Sequence, residues 1–363
     1  SWGPFVQGVS LPFANLNRNK RSITVDMKSP EGKEIVLKLV ESADIVVHNF
    51  RVGVMEKLGF GYEALSKINP GLVYASSSGW GDQGPHVESN RGGHDMMARA
   101  EAGLFVHYEA GKAPIPGGIS VDYPSGLMLM QGILIALLHR ERTGEGQQVT
   151  TDLLSVAFHS HAWDAASELN AEKIDEPARV GGTEAAINKA FITADSFIEI
   201  SPVFSDNALR DLSVAMGLGD LSSEPQFANG NVQIENRTEL NDRLQARFRD
   251  QTTEAWMAVL EEAGIFCARV HTFKEAAEDA QIKANGMVMS VEHPRAGSLR
   301  VLGTPIRLKN TPPQYQKPPP DLGEHSIEIV QELGYSASDI ERLNAKGILG
   351  EASQPINGVC SSR

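Results

Sequence analysis

Cysteine is scarce in this chain of 363 residues, which contains Cys267 and Cys360 far apart in no motif. Their separation excludes a cysteine metal cluster and gives no disulfide framework, so we expect no metal and a reducing, cytoplasmic location. Long hydrophobic runs are also missing. The longest, Gly126–Leu138, contains Gln131 and is shorter than the about 20 apolar residues of a membrane-spanning helix. The first residues lack the basic and apolar regions of a signal peptide. We therefore expect no membrane partner.

Positively charged residues are in the minority, because the chain has 33 Lys and Arg but 46 Asp and Glu, and its formal net charge is −13. A surface field of this sign repels nucleic acid and anionic lipid, so we expect neither as a partner. An anionic ligand would need a local basic pocket. The fingerprints GxxxxGK[ST], HExxH and GxSxG are absent as well, which removes the common signatures of P-loop, zinc-protease and serine-hydrolase sites. The glycines of Gly79-Trp80-Gly81-Asp82-Gln83-Gly84 follow a predicted strand, where a ligand loop could lie, but alone they are a weak signal because most such clusters are turns.

The first third of the chain alternates between strand-like and helix-like segments, which is typical of an α/β fold. Ser29-Pro30 is a typical helix start, with a serine cap and proline at the first helical position. The predicted strands are Ser22–Val25, Asp44–His48 and Gly71–Ala75, and the predicted helices are Glu31–Ser42, Val54–Leu58 and Tyr62–Ile68. Strands joined through helices by short links predict a parallel sheet.

Changes in pattern suggest two domains. Residues 1–178 are predicted to begin a large domain, 179–285 to form a smaller α+β domain, and 286–350 to link back to the large one. Residues 351–363 are expected to be a disordered tail. The chain opens in a loop directly before a strand, without the first strand–helix unit of a doubly wound sheet, and we interpret this as an N-terminal truncation.

The segment most informative about chemistry contains Asp122. This aspartate precedes a predicted buried helix, Ser125–Arg142, whose N-cap region is Pro124-Ser125. A carboxylate there lies near the positive end of the helix dipole and near free backbone N–H groups. Taken alone, the position is also that of an ordinary carboxylate at a helix N-terminus.

Several blocks of the sequence resemble family III CoA transferases. They occur in family order along nearly the whole chain: NRNKRSITVDMKSPEGKE, ADIVVHNFRVGVMEKLGFGYEAL, NPGLVYASSSGWGDQGP, VDYPSGLMLMQGILIALLHRERTGEGQQV, EAGIFCARVHTFKEA and PPPDLGEHSIEIVQELGYSASDIERL. The resemblance implies a Rossmann-like large domain with a parallel sheet, a smaller domain, and two subunits interlocked as a homodimer.

The resemblance also implies an activity. Asp122 matches the family nucleophile, which attacks an acyl-CoA thioester and passes coenzyme A to a small carboxylic acid through a covalent aspartyl intermediate. His94, in Gly92-Gly93-His94-Asp95, resembles instead the histidine of α-methylacyl-CoA racemases, which share the superfamily. The racemase-like alternative uses His94 and Asp122 to move an α-proton. A second alternative is an inactive fragment that only binds CoA.

Positions that contact CoA carry over from the family one at a time. The stretch from Val25 to Lys28, the pair Asn49 and Phe50, and the pair Lys57 and Leu58 match segments lining the nucleotide pocket. Arg91 falls near a family lysine that serves the phosphates. Cations at the ends of parallel strands suit a ligand with several phosphate charges.

Overall fold

The computed structural model describes residues 3–106, 112–173, 186–187, 189–201 and 205–350. The chain divides into two compact units, and the second is inserted into the first. The first unit comprises Ser1–Asn170, Ser290–Val301 and Leu308–Arg363, and the second comprises Ala171–Met289 and Leu302–Arg307. The predicted boundary at 178 and the predicted tail, 351–363, lie outside the described residues.

The regular elements are numbered here in chain order. The strands are β1 (Phe5–Val6), β2 (Val9–Ser10), β3 (Ile45–His48), β4 (Val73–Ser78), β5 (Phe105–Val106), β6 (Ile115–Pro116), β7 (Gln148–Asp152), β8 (Ala190–Ile192), β9 (Phe197–Ser201), β10 (Phe266–Arg269), β11 (Val288–His293) and β12 (Gly297–Leu302). The helices are α1 (Leu11–Leu16), α2 (Pro30–Ser42), α3 (Val54–Leu58), α4 (Tyr62–Ile68), α5 (Pro85–Glu88), α6 (Asp95–Glu101), α7 (Asp122–Thr143), α8 (Leu153–His159), α9 (Ala162–Glu168), α10 (Ala208–Ala215), α11 (Gly230–Glu235), α12 (Arg237–Phe248), α13 (Thr253–Glu262), α14 (Phe273–Glu278), α15 (Ala280–Ala284), α16 (Ser326–Glu332) and α17 (Ala337–Ala345).

The first unit contains the predicted parallel sheet. Its order is β3-β4-β7, with Ile45 opposite Val73 and Tyr74 opposite Gln148. Helices α3 and α4 have the predicted bounds and connect β3 to β4. Because β3 and β4 are adjacent and parallel, the segment is a strand–helix–strand unit. The protein is therefore of mixed α/β class, as the alternating pattern predicted.

The predicted strand Ser22–Val25 is wrong, because only Val25 makes a β-bridge, antiparallel to Leu349. The backbone of this segment bonds to helix-start groups near the C-terminal end of the unit instead of to a strand. Thr24 N–H donates to the Ser326 hydroxyl (3.1 Å), and the Ser22 carbonyl accepts from His325 N–H (2.9 Å). The segment thus ties α2 to α16 and α17.

Two of the apolar clusters among the described residues of this unit include side chains of α2. One lies between α2, α4 and the sheet, and consists of Val40, Met55, Phe60, Leu65, Leu72 and Tyr74. The other joins α2 to the C-terminal helices, and consists of Ile35, Val330, Ile340, Leu343, Ile348 and Leu349. Most of these side chains are fully buried, and burial of each contributes about 1.5–3 kcal/mol relative to exposure.

Helix α7 differs from its prediction in two ways. It begins at Asp122, three residues before the predicted Ser125, so Asp122 is its first residue and Val121 its N-cap. It is also not a buried helix, since Leu134 is 56% exposed and Ile135 is 68% exposed in the single chain. Only one side of α7 packs on its own unit, through residues such as Leu129 and Ala136.

The second unit is an α+β structure. Its antiparallel sheet has the order β10-β9-β8, and α10, α12 and α13 contribute to a core with Phe191, Phe248 and Trp256. The turn between β8 and β9 is fixed by Asp195. Its Oδ1 accepts hydrogen bonds from the backbone N–H (2.7 Å) and hydroxyl (2.9 Å) of Thr253, at the start of α13.

Two structural findings bear on function. Among the described residues, no helix combines the length and apolar character needed to cross a membrane. In the same part of the chain, no group of three or more His, Cys, Asp or Glu side chains is arranged to hold a metal ion.

Candidate active site

A cavity of about 300 Å³ opens at the carboxyl ends of β3 and β4. Ligands of open α/β sheets bind at this edge, because the loops that leave the strands converge there. The chain leaves β3 through Asn49–Val52 and leaves β4 through Gly79, and both segments line the cavity. The other lining residues are Ser78, His86, Val87, Asn90, Arg91, Gly92, Gly93, His94 and Met97.

The back of the cavity is a close contact between two glycine loops. A Cβ added to Gly79 would lie 2.7 Å from Gly93 Cα, and one added to Gly93 would lie 2.8 Å from Trp80 Nε1. Trp80 Nε1–H also donates to the Gly92 carbonyl (3.1 Å). Backbone packing of this kind requires glycine on both sides. It fixes the Gly92-Gly93-His94 segment against the end of β4.

Arg91 is held by a network of its own. Its guanidinium donates to Glu101 Oε1 (2.5 Å) and lies over the Trp80 ring, 4.7 Å from the ring centroid. His86 contacts the other Glu101 oxygen at 3.0 Å. Hydrogen bonds from His86 and then Arg91 lower the pKa of the Glu101 carboxyl. The charge of Arg91 is therefore balanced within the protein.

Arg51 is the second cation of the cavity. Its Nη1 approaches the Asn90 carbonyl at 3.5 Å, at the limit of hydrogen bonding. Its Nη2 lies 2.8 Å from where a Gly92 Cβ would be, so the guanidinium rests directly on Gly92. Within the described residues it forms no ion pair. The described lining residues also include no Asp or Glu.

The turn before Asp122 is clamped by Asp95. Asp95 Oδ1 accepts from Val121 N–H (2.6 Å) and from the Ser120 hydroxyl (2.9 Å). Ser120 Oγ in turn accepts from Asp122 N–H (3.3 Å). These side-chain oxygens satisfy N–H groups that a helix start leaves unpaired, which explains why α7 starts at Asp122. Pro124 falls in the first turn, where its missing N–H costs nothing.

Arg99 lies one turn after Asp95 on α6 and holds the Asp95 carboxylate in place. Its side chain is buried, and Nη1 donates to Asp95 Oδ2 (3.3 Å) while Nη2 donates to the carbonyls of Gly117 and Gly118. Desolvation opposes ionisation of Asp95, but hydrogen bonds from Val121, Ser120 and Arg99 outweigh it and lower the pKa of Asp95. Asp95, which clamps the turn before Asp122, is therefore held in its charged carboxylate form.

Asp122 behaves in the opposite way. Desolvation by its neighbours and then the negative charge of Asp95 raise its pKa, although a hydrogen bond with Ser120 and the charge of His94 act against this. Because the charge of His94 acts to lower the pKa of Asp122, the two side chains interact electrostatically. The residue is at the same time exposed on the surface of the single chain.

The structure brings together some of the predicted site residues. Asn49, Phe50, Arg91 and His94 line the cavity. The other predicted CoA positions lie elsewhere in the same unit: Val25 bridges to Leu349, Lys28 is in the turn before α2, Lys57 is exposed on α3, and Leu58 packs on the core beneath the sheet.

Sequence reasoning missed Arg51, Asp95, Arg99 and Ser120. Arg51 directly follows Asn49-Phe50, so its position at the end of a strand was an available signal. Asp95 and Arg99 are four residues apart on one helix, a spacing at which opposite charges pair. Nothing in the sequence links them to Asp122, which lies 27 residues after Asp95 in the chain.

Comparisons with known proteins identify the class. The family described as CoA-transferase family III matches residues 1–326. The chain is 34% identical over 353 residues to an acyl-CoA transferase of Fusarium pseudograminearum, covering 96% of this chain and 77% of that protein. It is 34% identical over 355 residues to the succinyl-CoA:glutarate CoA-transferase of Mus musculus, covering 96% and 80%. The crystal structure of a CAIB/BAIF family protein from Brucella suis is similar, with a TM-score of 0.76, 31% identity, and coverage of 89% of this chain and 84% of that one.

The fold and the comparisons therefore define an enzyme of the CoA-transferase class. The chain belongs to CoA-transferase family III, and its reaction moves coenzyme A from an acyl-CoA to a carboxylic acid. The predictions of the family and of CoA transfer from an acyl-CoA to a carboxylic acid are confirmed.

Proposed function

We propose that Asp122 is the covalent nucleophile of this transfer. Three features support the assignment. The carboxylate is exposed at the first residue of a 22-residue helix, where the positive end of the helix dipole favours negative charge. Asp95 and Ser120 hold its backbone in one orientation. Its raised pKa marks a more basic carboxylate than a surface aspartate, and basicity favours nucleophilic attack.

The proposed reaction is a sequence of acyl transfers at Asp122, and each step has a defined nucleophile and leaving group. The Asp122 carboxylate attacks the thioester carbonyl, the C–S bond breaks, and a mixed anhydride forms with CoA thiolate as leaving group. The thiolate then attacks the aspartyl carbonyl, releases the first acid as its carboxylate, and leaves an aspartyl-CoA thioester. The carboxylate of the second acid attacks this thioester, the C–S bond breaks, and a second mixed anhydride forms with CoA thiolate as leaving group. The thiolate then attacks the carbonyl of the second acid, which gives the new acyl-CoA and releases the Asp122 carboxylate. Each step is an acyl transfer between activated groups.

The experiment that tests this proposal uses Asp122→Asn. The variant keeps the size of the side chain and removes the nucleophile, so we expect a fall in transfer of at least about 10³-fold with an unchanged folded state. The wild-type enzyme incubated with acyl-CoA and then hydroxylamine should carry a hydroxamate at Asp122, detected by peptide mass. Glu145→Gln, on the exposed turn after α7, is the matched control and should retain activity.

Two outcomes would contradict the proposal. One is substantial transfer by Asp122→Asn. The other concerns His94, whose charge acts on Asp122 and which would suit proton transfer at an α-carbon. Rapid incorporation of deuterium from heavy water at the α-position of a branched acyl-CoA, lost in both His94→Ala and Asp122→Asn, would favour the racemase-like reaction. We expect no such incorporation, and partial transfer activity in His94→Ala.

The CoA substrate is proposed to enter at the strand ends. Asn49 and Phe50 would contact its nucleotide portion from the cavity side, with Arg91 near its phosphates. Val25, Lys28, Lys57 and Leu58 are proposed as outer contacts, in the turn before α2 and on α3. The position of the cavity at the carboxyl edge of a parallel sheet supports a Rossmann-like arrangement of this unit.

We further propose that the enzyme is a homodimer, with α7 packing against a second copy. Apolar side chains recur on one face of α7 at spacings of three and four, which is the pattern of a packed helix surface. All of them are at least 39% exposed in the single chain: Tyr123, Leu127, Met130, Leu134 and Leu138. A helix of 22 residues is about 33 Å long, so this face spans much of a subunit.

A further inference from the structure

The first unit contains a second cavity, and the described residues that line it are all different from those of the cavity at the strand ends. Its volume is about 540 Å³, within the roughly 300–1,000 Å³ typical of small-molecule sites. Most of its wall is apolar, and the main contributors are Phe5, Val9, Pro12, Phe13, Pro320 and Leu322. Phe13 is 45% exposed and Leu322 is 62% exposed, so an apolar molecule bound here would remove their surface from water.

His293 brings a hydrogen-bond donor to this cavity. The residue ends β11, lines the cavity and is only 6% exposed. Its Nδ1 accepts from the backbone N–H groups of Arg295 (3.1 Å) and Ala296 (3.3 Å), so Nδ1 carries no proton and the ring proton is on Nε2. Burial lowers the pKa of His293, which favours this neutral form. Among the described residues, the Nε2–H group has no hydrogen-bond partner.

Arg295 contributes a second donor, from the turn after β11. Its Nη2 donates to Asp321 Oδ1 (2.7 Å), and both side chains line the cavity. Its Nε is buried, and within the described part of the chain it has no hydrogen-bond partner. A buried N–H group without an acceptor costs roughly 1–3 kcal/mol. An acceptor atom bound beside the apolar wall would therefore satisfy donors that the fold itself leaves unpaired.

The charges around His293 favour an uncharged acceptor. The carboxylates of Asp321 and Glu324 act to raise the pKa of His293, and the guanidinium of Arg295 acts to lower it. Two negative charges and one positive charge therefore surround a neutral ring, and an anionic ligand would meet a net repulsion. A carbonyl oxygen accepts hydrogen bonds through its lone pairs and carries no net charge.

We propose that this cavity is a second ligand site, which binds an uncharged, mainly apolar molecule that carries an amide or ester carbonyl. The carbonyl oxygen would accept from His293 Nε2–H and Arg295 Nε–H, and the hydrocarbon part would lie against Phe13 and Leu322. The site concerns binding alone and does not depend on which residue is the nucleophile of the transfer.

The test is a ligand-observed NMR titration of the whole chain with hexanamide and with hexanoate, its charged counterpart. Hexanamide should bind saturably and more tightly than hexanoate. His293→Asn keeps an acceptor for the turn but removes Nε2–H, and Arg295→Lys keeps the charge opposite Asp321 but removes Nε–H. Each variant should weaken hexanamide binding by about 3- to 10-fold, the effect of one lost hydrogen bond. His271→Asn, at an exposed histidine of the second unit, is the matched control and should bind as the wild type does.

CoA is another source of the same chemistry, because its pantetheine arm carries amide groups. We expect CoA and pantetheine to leave the affinity for hexanamide unchanged, and competitive displacement by either would overturn the proposal by making the cavity part of the CoA site. Tighter binding of hexanoate would show an anion site instead. Absence of saturable binding would show that water alone satisfies the two donors, and equal affinity in His293→Asn, Arg295→Lys and the control would show that the donors do not bind the carbonyl. Each of these results would also overturn the proposal.

Discussion

At the scale of single residues, the site is organised around two carboxylates with opposite tendencies. Asp95 accepts hydrogen bonds and an ion pair that keep it charged, and its pKa is lowered. Asp122 is partly desolvated and lies in the field of Asp95, and its pKa is raised. Neighbouring carboxylates whose environments separate their pKa values commonly divide structural and chemical roles. Asp95 is thus a positioning residue that also tunes its neighbour.

This coupling predicts opposite pH shifts in two variants. With Asp122 as the proposed nucleophile, transfer would need its ionised form, so activity should fall as the pH drops through its pKa. Asp95→Asn keeps an oxygen for the Val121 N–H but removes a negative charge that raises the pKa of Asp122, so the acid limb of kcat/KM should move to lower pH. Ser120→Ala removes a hydrogen bond that lowers this pKa, so the limb should move to higher pH. Shifts of the same sign in both pH profiles would contradict the coupling.

At the scale of elements, the close packing of glycine loops sets the cavity. The Gly79 and Gly93 backbones touch, so no side chain can be added to either without moving a backbone segment. Because that segment leads directly into His94 and α6, a small displacement there is transmitted to Asp95 and to the start of α7.

We therefore predict that Gly93→Ala loses both stability and activity. Its Cβ would lie within 3.0 Å of Trp80 and Gly79, and overpacking of this kind costs about 1–3 kcal/mol in free energy of unfolding. Denaturant unfolding and steady-state kinetics measure the two effects. Gly71→Ala, just before β4, is the control, because its Cβ would meet its neighbours at 3.6 Å or more, and it should be neutral or stabilising by about 0.4–1 kcal/mol. Equal stability of the two variants would contradict the packing argument.

The start of α7 shows how far sequence reasoning reaches. The existence of the helix, its end near Gly144 and the importance of Asp122 were all predictable from local pattern and family blocks. Its first residue was not, because the oxygens that cap it come from Ser120 and from Asp95 on another helix. Arg51 was missed for a similar reason: its lack of a partner is a property of the assembled cavity. Local sequence patterns predict that a helix exists, whereas hydrogen bonds from residues elsewhere in the fold determine the residue at which it begins.

At the scale of the whole molecule, the exposed face of α7 predicts a change of oligomeric state. Leu134→Glu combined with Leu138→Glu places two charges in the proposed interface, so light scattering at micromolar concentration should report monomers for this variant and the proposed dimer for the wild type. Phe273→Glu, at a side chain 97% exposed in the second unit, makes the same chemical change elsewhere and should leave the dimer intact. A monomeric wild-type enzyme with full activity would contradict the proposal.

The exposure of Asp122 has a consequence for the fidelity of the reaction. An aspartyl anhydride or thioester at an open surface is accessible to water, and each hydrolysis would consume an acyl-CoA without forming a new one. If Asp122 is the nucleophile, as proposed, the transferase needs a cover over it, and a second subunit on the adjacent face of α7 would supply one. In the monomeric variant, free CoA thiol released without any acceptor acid should rise relative to transfer, so that loss of the dimer converts a transferase into a slow thioesterase.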